Sequence, residues 1–179
     1  MALPNVTEEL LAHLPDLRAY ARWLAGSRHD ADDLVQDTIE RVLGAAERFT
    51  PGTNFKAWAF TILRNRFLNA YARPSRSQSI DDIDPEMFAC PASQERTIEC
   101  QEFRSAFAKL PAEYREVLIL VAGSAMNYSE IAAVCGCAEG TIKSRVFRAR
   151  AELNRLMQRE APVSRTPERK AALSALAAN

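Results

Sequence analysis

The stretch from Tyr128 to Met157, YSEIAAVCGCAEGTIKSRVFRARAELNRLM, constrains the fold more than any other part of the chain. Ile131, Ala132 and Cys135 recur at helical spacing, and Ile142, Val146, Ala149, Leu153 and Leu156 do so again beyond a break at Gly136. Glycine reaches positive φ without steric cost, so Gly136 suits the reversal between two close-packed helices. From Thr141 to Arg159 there are six basic residues (Lys143, Arg145, Arg148, Arg150, Arg155 and Arg159) and one acid, Glu152, a local balance of +5. Helix, tight turn and cationic second helix make a helix-turn-helix, a shape that fits the DNA major groove.

A second basic stretch lies upstream. The whole chain, at 179 residues, balances 23 basic against 23 acidic side chains, and that zero hides an uneven distribution. Residues 54–73 hold four basic residues (Lys56, Arg64, Arg66, Arg73) and no acid. Residues 74–100 hold two basic residues and six acids, a balance of −4. Two basic patches around an acidic spacer fit a protein that touches nucleic acid at two places; ordinary solvated helix faces explain either patch alone and explain the pairing less well.

No apolar run approaches the roughly 20 residues needed to span a bilayer. The N-terminus has no basic segment followed by an apolar stretch, so no secretory signal is expected and the location is read as cytoplasmic. Cys90, Cys100, Cys135 and Cys137 show no C-x-x-C spacing, and the two histidines, His13 and His29, are far from them in sequence. No metal site or cofactor is expected, and the cysteines read as reduced and packed.

Four stretches organise the first half. Glu8 to Leu24 carries Leu10, Leu14, Leu17, Ala21 and Leu24 on one helical face. Asp30 to Leu43 opens with aspartates that suit a helix N-terminus, and its stripe is Leu34, Val35, Ile39 and Val42. Thr50 to Asn54 is a loop signal, and a helix from about Phe55 to Ala72 follows, with Trp58, Ile62, Leu63 and Phe67 for the core. Pro74 discourages its continuation. Residues 74–97 read as an acidic flexible linker. The second half begins near Ile98 with Phe103, Ala106, Phe107 and Leu110 on one stripe; Pro111 opens the next helix, with Tyr114, Val117, Leu118 and Val121 in the core. Residues 161–179 form a tail with a short helix at 168–177. No segment has strand periodicity, so the chain is expected to be all-α, two small helical domains (1–73 and 98–160) joined by a tether.

The order of motifs is recognisable. DADDLVQDT at 30–38, FKAWAFTILRN at 55–65, LPAEYREVLIL at 110–120 and then the helix-turn-helix resemble the bacterial extracytoplasmic-function (ECF) sigma factors of the sigma-70 family. The likeness covers about residues 8–157, and PGTNFKAW with CGCAEGTIKSR is similar to the alphaproteobacterial general-stress (EcfG-like) subgroup. The resemblance implies a protein without catalytic activity that binds core RNA polymerase, at the clamp helices of the largest subunit and at the flap, and directs it to promoter DNA. It implies that residues 1–73 (region 2) bind polymerase and melt and read the −10 element. Region 4, at 98–160 with its helix-turn-helix at 128–157, would read the −35 element, and the linker would run near the RNA exit path. It also implies an anti-sigma factor as inhibitor, with the sigma factor a monomer when free or one-to-one with that inhibitor.

Site residues follow from matching positions. Asp33, Gln36, Asp37, Glu40 and Arg41, off the apolar stripe of their helix, correspond to the polymerase-docking surface; an acidic face suits a basic partner in orientation and on-rate. The loop from Phe49 to Asn54 lies where relatives capture a base flipped from the non-template strand, at an unstacking cost offset by hydrogen bonds and stacking. There Thr50 and Thr53 offer hydroxyls, Asn54 an amide, and Phe55 a flat surface; Trp58, in step with Ile62, reads as core. Arg64, Asn65 and Asn69 are placed to meet the opened −10 strand, and Arg66 and Arg73 add sequence-independent attraction. On the helix-turn-helix, Lys143, Ser144, Phe147 and Arg148 lie opposite the apolar stripe; Arg148 and Lys143 can address guanine or phosphate, and Phe147 a thymine methyl or a protein partner. Glu139 either accepts from a cytosine amine or favours the helix N-terminus; Thr141, Tyr128 and Ser129 suit backbone contacts. Arg145 lies toward the core flank and reads as structural or phosphate-bound.

Two other readings compete. A plain helix-turn-helix regulator leaves the motifs between 30 and 73 unexplained. A sigma-like partner-switching protein, which sequesters an anti-sigma factor, has no need of a cationic second helix. No phosphate loop and no nucleophile–base pair points to an enzyme.

Overall fold

The computed structural model describes residues 6–25, 27–71 and 94–160. Those residues form seven α-helices: α1 Val6–Ala25, α2 Arg28–Gly44, α3 Phe55–Tyr71, α4 Gln94–Ala108, α5 Ala112–Gly123, α6 Tyr128–Cys135 and α7 Glu139–Glu160, with a 3-10 turn at Ala46–Arg48 after α2. No strand occurs among the described residues, so the all-α expectation holds. No helix among them is long and apolar enough to cross a membrane. The linker expected up to 97 and the tail from 161 fall mostly outside the described residues, although α4 already begins at Gln94. These residues divide into two compact units, one of residues up to 87 with 119–142, the other of 88–118 with those from 143 on.

In the first unit α1, α2 and α3 pack on one another, and α6 packs on α3. Helix α2 starts because Ser27 sits in extended backbone and its hydroxyl accepts the Asp30 N–H at 3.1 Å, satisfying an amide with no helical partner. Leu34, Val35 and Val42 of the expected stripe are buried; Ile39 is half-buried, and Thr38 takes a buried place instead. The Thr38 hydroxyl donates to the Leu34 carbonyl at 2.7 Å, so the buried oxygen is not orphaned. On α1, Leu10, Leu17 and Ala21 are buried as expected, joined by Tyr20 and Ala25, while Leu14 and Leu24 are only half-buried.

Helix α3 differs most from its sequence reading. Leu63 is fully buried, but Trp58, Ile62 and Phe67 are half-buried, and Phe55, Ala57, Ala59 and Phe60 are the other buried residues. This helix is apolar nearly all round, so periodicity alone does not choose its inward face; contacts with both α1 and α2 do. Phe60 stacks on Tyr20 with ring centroids 5.2 Å apart. Two ion pairs tie α3 to its neighbours: Lys56 Nζ to Asp16 Oδ2 of α1 and Arg66 Nε to Asp37 Oδ2 of α2, each at 2.5 Å.

In the second unit Ala106, Phe107 and Leu110 are buried, with Phe103 stacked on Phe107 at 5.7 Å. Pro111 lies just before α5, and its carbonyl receives the first helical bonds, from Tyr114 and Arg115. Val117 is buried, whereas Tyr114 and Leu118 are half-buried. The Arg115 guanidinium donates to the Ala108 carbonyl at 2.6 Å, and burial lowers its pKa from the usual arginine value.

Helix α6 has only eight residues, too few to persist alone, and depends on its ends. Asn127 Oδ1 accepts the Glu130 N–H at 2.9 Å, and Glu130 Oε2 accepts the Asn127 N–H at 2.8 Å, a complete capping box. Gly136 closes the helix at φ 65°, and the Cys137 N–H reaches the Ala132 carbonyl at 3.0 Å. A Cβ added at Gly136 would meet nothing within 4 Å, so glycine is needed for its backbone angle, not for space. Asn127→Ala removes the side-chain half of the cap and is expected to lower stability by about 1 kcal/mol, read as a lower urea midpoint at unchanged slope.

The cysteines depart from expectation. Cys135, buried, and Cys137, half-buried, are thiols outside any disulfide, in line with the sequence. Cys100, however, is disulfide-bonded, so not all thiols are reduced; Cys90 lies outside the described residues. Spacing argues only against a metal site, and it does not decide whether two sulfurs come within bonding distance.

Candidate nucleic-acid interface

The loop between the 3-10 turn and α3 is built to hold its polar side chains outward. Phe49 is buried and meets Phe55 edge-on at 5.3 Å and Trp58 at 5.1 Å, an aromatic base under the loop. Gly52, at φ 87°, allows the turn. Asn54 caps α3, its Oδ1 accepting the Ala57 N–H at 2.9 Å, and its Nδ2 donates to Glu130 Oε1 at 2.5 Å. Thr50, Thr53 and Asn54 are exposed, whereas Phe55 is 5% exposed and offers little open surface. Thr53, Asn54 and Phe55 nevertheless line one cavity of about 320 Å³, together with Glu9 and His13 of α1.

A second cavity, of about 450 Å³, opens farther along α3. Asn65 and Asn69 line it with Arg41, Arg48 and Arg66, so the amides expected to meet an opened strand share a groove with three guanidinium groups. Such a groove attracts phosphate without regard to sequence, with affinity that falls as salt rises. Arg64 is half-buried and does not line that groove.

On α2, Asp33, Gln36, Glu40 and Arg41 are exposed on one outward surface. Gln36 Nε2 donates to Glu40 Oε1 at 3.3 Å, and His29 Nε2 lies 3.8 Å from Asp33 Oδ2. Asp37 differs from these: half-buried, it is engaged by Arg66 and serves first to tie α2 to α3.

On α7, Lys143, Phe147 and Arg148 are exposed, Phe147 at 76%, while Ile142, Val146 and Ala149 are buried. Ser144 and Thr141 are half-buried beside them, and Glu139 is exposed in the first turn. Tyr128 is half-buried and Ser129 exposed at the start of α6. Arg145 turns away from this surface, its Nη2 3.1 Å from Glu113 Oε2 of α5, in line with a structural reading.

Comparison with known proteins bears on both halves. The chain matches the Sigma-70 region 2 model over residues 10–77 and the Sigma-70, region 4 model over residues 100–153. It is 45% identical over 156 residues to the ECF RNA polymerase sigma factor EcfG of Rhodopseudomonas palustris, covering 86% of this chain and 85% of that protein. The chain belongs to the ECF sigma factors of the sigma-70 family. This sigma factor is also similar in structure to the sigma factor RpoE of Bartonella quintana, solved in complex with the anti-sigma factor NepR. That likeness has a TM-score of 0.67 at 40% identity and covers 89% of this chain and 98% of that one. CnrH, solved in complex with the cytosolic domain of CnrY, gives a TM-score of 0.65 at 28% identity over 87% of this chain and 89% of that one.

The packing of this sigma factor adds residues that sequence reading passes over. Glu9 and His13 reach the cavity beside Asn54, and Arg41 and Arg48 reach the groove beside Asn65. The sequence places Arg41 on the polymerase-docking surface alone. Both additions come from outside α3, and only the i, i+4 spacing of Glu9 and His13 hints that they share a face.

Proposed function

We propose that this protein is the promoter-specificity subunit of a bacterial RNA polymerase, acting in the cytoplasm without catalysis of its own. Residues 1–73 serve as region 2, 74–97 as the connecting linker, and 98–160 as region 4. Core polymerase docks on Asp33, Gln36, Glu40 and Arg41, with Asp37 holding that surface against α3. The −10 strand is met by Thr50, Thr53, Asn54 and the edge of Phe55, then by Asn65 and Asn69 in the cationic groove, with Arg64 beside it. Tyr128, Ser129, Glu139, Thr141, Lys143, Ser144, Phe147 and Arg148 face the −35 duplex.

The observation that carries this reading is the outward surface of α7, where Lys143, Phe147 and Arg148 stand exposed on a helix that a glycine-closed turn joins to α6. The likeness to EcfG supports a general-stress role. The relatives solved with NepR and with CnrY support a protein anti-sigma factor as the inhibitor.

Run-off transcription tests the proposal. Sigma-free core polymerase, given this protein and fragmented genomic DNA, is expected to start transcripts whose mapped 5′ ends share two upstream elements. Core polymerase that stays silent, while the protein binds an anti-sigma factor tightly, would point to a partner-switching protein. Replacing Asp33 and Gln36 together by alanine is expected to weaken core-polymerase binding by about tenfold. Binding of the same variant to −35 duplex should be unchanged, and equal losses in both assays would remove the division of labour.

A further inference from the structure

The end of α2 and the 3-10 turn after it put two arginines, Arg41 and Arg48, into the cavity of about 450 Å³, with only Gly44 and Ala45 lining it between them. A Cβ added at Gly44 would meet nothing within 4 Å, so the strip between the arginines is open there. Ile62, Asn65, Arg66 and Asn69 complete the lining from α3, at spacing that puts them on one side of that helix. No acidic side chain lines the cavity. The cations beside α3 are not equally available. Lys56 is taken by Asp16 and Arg66 by Asp37. Arg41 and Arg48 are exposed, and among the described residues neither is in an ion pair. The groove therefore sets two available guanidinium groups from the α2 side beside two exposed amides from α3. A guanidinium only donates and matches two oxygens of a phosphate, whereas an amide donates and accepts and can address a base edge.

Resting on the reading that α3 meets the −10 element, we infer that Arg41 and Arg48 hold a backbone phosphate of that DNA. Arg48, to which the sequence gives no role, is then a DNA-positioning residue supplied by the turn after α2. Arg41, at the rim of the polymerase-docking surface, serves the groove as well. Phosphate contacts fix the register of a strand and carry no sequence information, which leaves base edges to the amides of Asn65 and Asn69. Arg66 adds little to this hold, because Asp37 already neutralises it. The charge of the groove thus comes from α2 and its turn, not from the helix that carries the amides.

The test uses holoenzyme assembled from the full chain and core polymerase, titrated onto promoter fragments with a pre-opened −10 element at several salt concentrations. Arg41→Gln and Arg48→Gln should each lower the slope of log affinity against log salt by about 0.7–0.9, so that the fall between about 50 and 200 mM salt shrinks by about threefold. The weakening should be the same for matched and mismatched −10 sequences, and Arg48→Lys should restore most of the slope. Methylphosphonates, which remove the charge of one phosphate at a time, locate the contact. At one or two neighbouring positions they should weaken the wild type and add nothing in the double variant. Slopes unchanged in both variants, or losses that follow the base sequence, overturn the inference. Unchanged slopes together with inorganic phosphate bound by the free wild-type chain and not by the double variant would mark a free-anion site instead. Weaker core-polymerase binding by Arg48→Gln at an unchanged slope would give Arg48 to the polymerase, and also overturns it. A wild-type holoenzyme that binds fragments without a −10 element as tightly as complete ones removes the reading of α3, and the inference with it.

Discussion

Phe60→Ala is expected to destabilise the protein by about 3–5 kcal/mol, the range for deleting a buried aromatic ring. Phe60 is 1% exposed, sits on the inward face of α3 and stacks on Tyr20 of α1 at an interplanar angle of 18°. Its loss removes apolar burial and leaves a void where three helices meet. Total stabilities of about 5–15 kcal/mol make this a large fraction of what holds the first unit together. Urea unfolding of the full chain should show a lower midpoint with an unchanged slope. Phe60→Leu, closer in volume, should lose much less. A loss below about 1 kcal/mol for the alanine variant would mean that α1 and α3 close over the gap, contrary to a tightly packed core.

Arg148→Ala is expected to carry the largest functional effect, a fall of about tenfold to a hundredfold in affinity for duplex containing the −35 element. Arg148 is exposed on the surface it shares with Phe147 and Lys143, where a guanidinium can meet a guanine edge with two parallel bonds. Lysine cannot supply that fork, so Arg148→Lys should recover phosphate attraction but little base discrimination. Core-polymerase binding should not change, since the docking surface proposed for it lies on α2. Arg145→Ala is the informative contrast: its guanidinium is engaged by Glu113, so duplex affinity should fall far less. Titration of labelled duplex at fixed salt, with a mismatched duplex alongside, separates lost base reading from lost charge. Equal losses for Arg145 and Arg148 would place base reading elsewhere on α7.

Legibility follows the range of the signal. The helix-turn-helix is plain because each part of its signal is local: a 3.6-residue period, a glycine where φ must be positive, and a run of cations on one helix. The helices of the first half are legible for the same reason, to within a few residues at their ends. The inward face of α3 is not, because a helix with phenylalanine, tryptophan, isoleucine and leucine on every side has no preferred face until neighbours choose one. Trp58 and Ile62 share a stripe that reads as core and are half-buried, while Phe60, off that stripe, is among the most buried. The polar groups follow the same divide. Asp37 and Arg66 look in the sequence like members of two separate surfaces, and their pairing across 29 residues emerges only once α2 and α3 lie side by side.

Local patterning was enough to establish an all-α chain, a helix-turn-helix with a cationic second helix, and motifs in the order of an ECF sigma factor. These depend on interactions between residues a few positions apart, which a sequence displays directly. The packed structure alone decided which side of α3 is core, which charged groups are engaged in holding helices together, and that Glu9 and His13 close a cavity with Asn54. Those outcomes depend on distances between residues tens of positions apart, and such distances exist only after the apolar faces have packed.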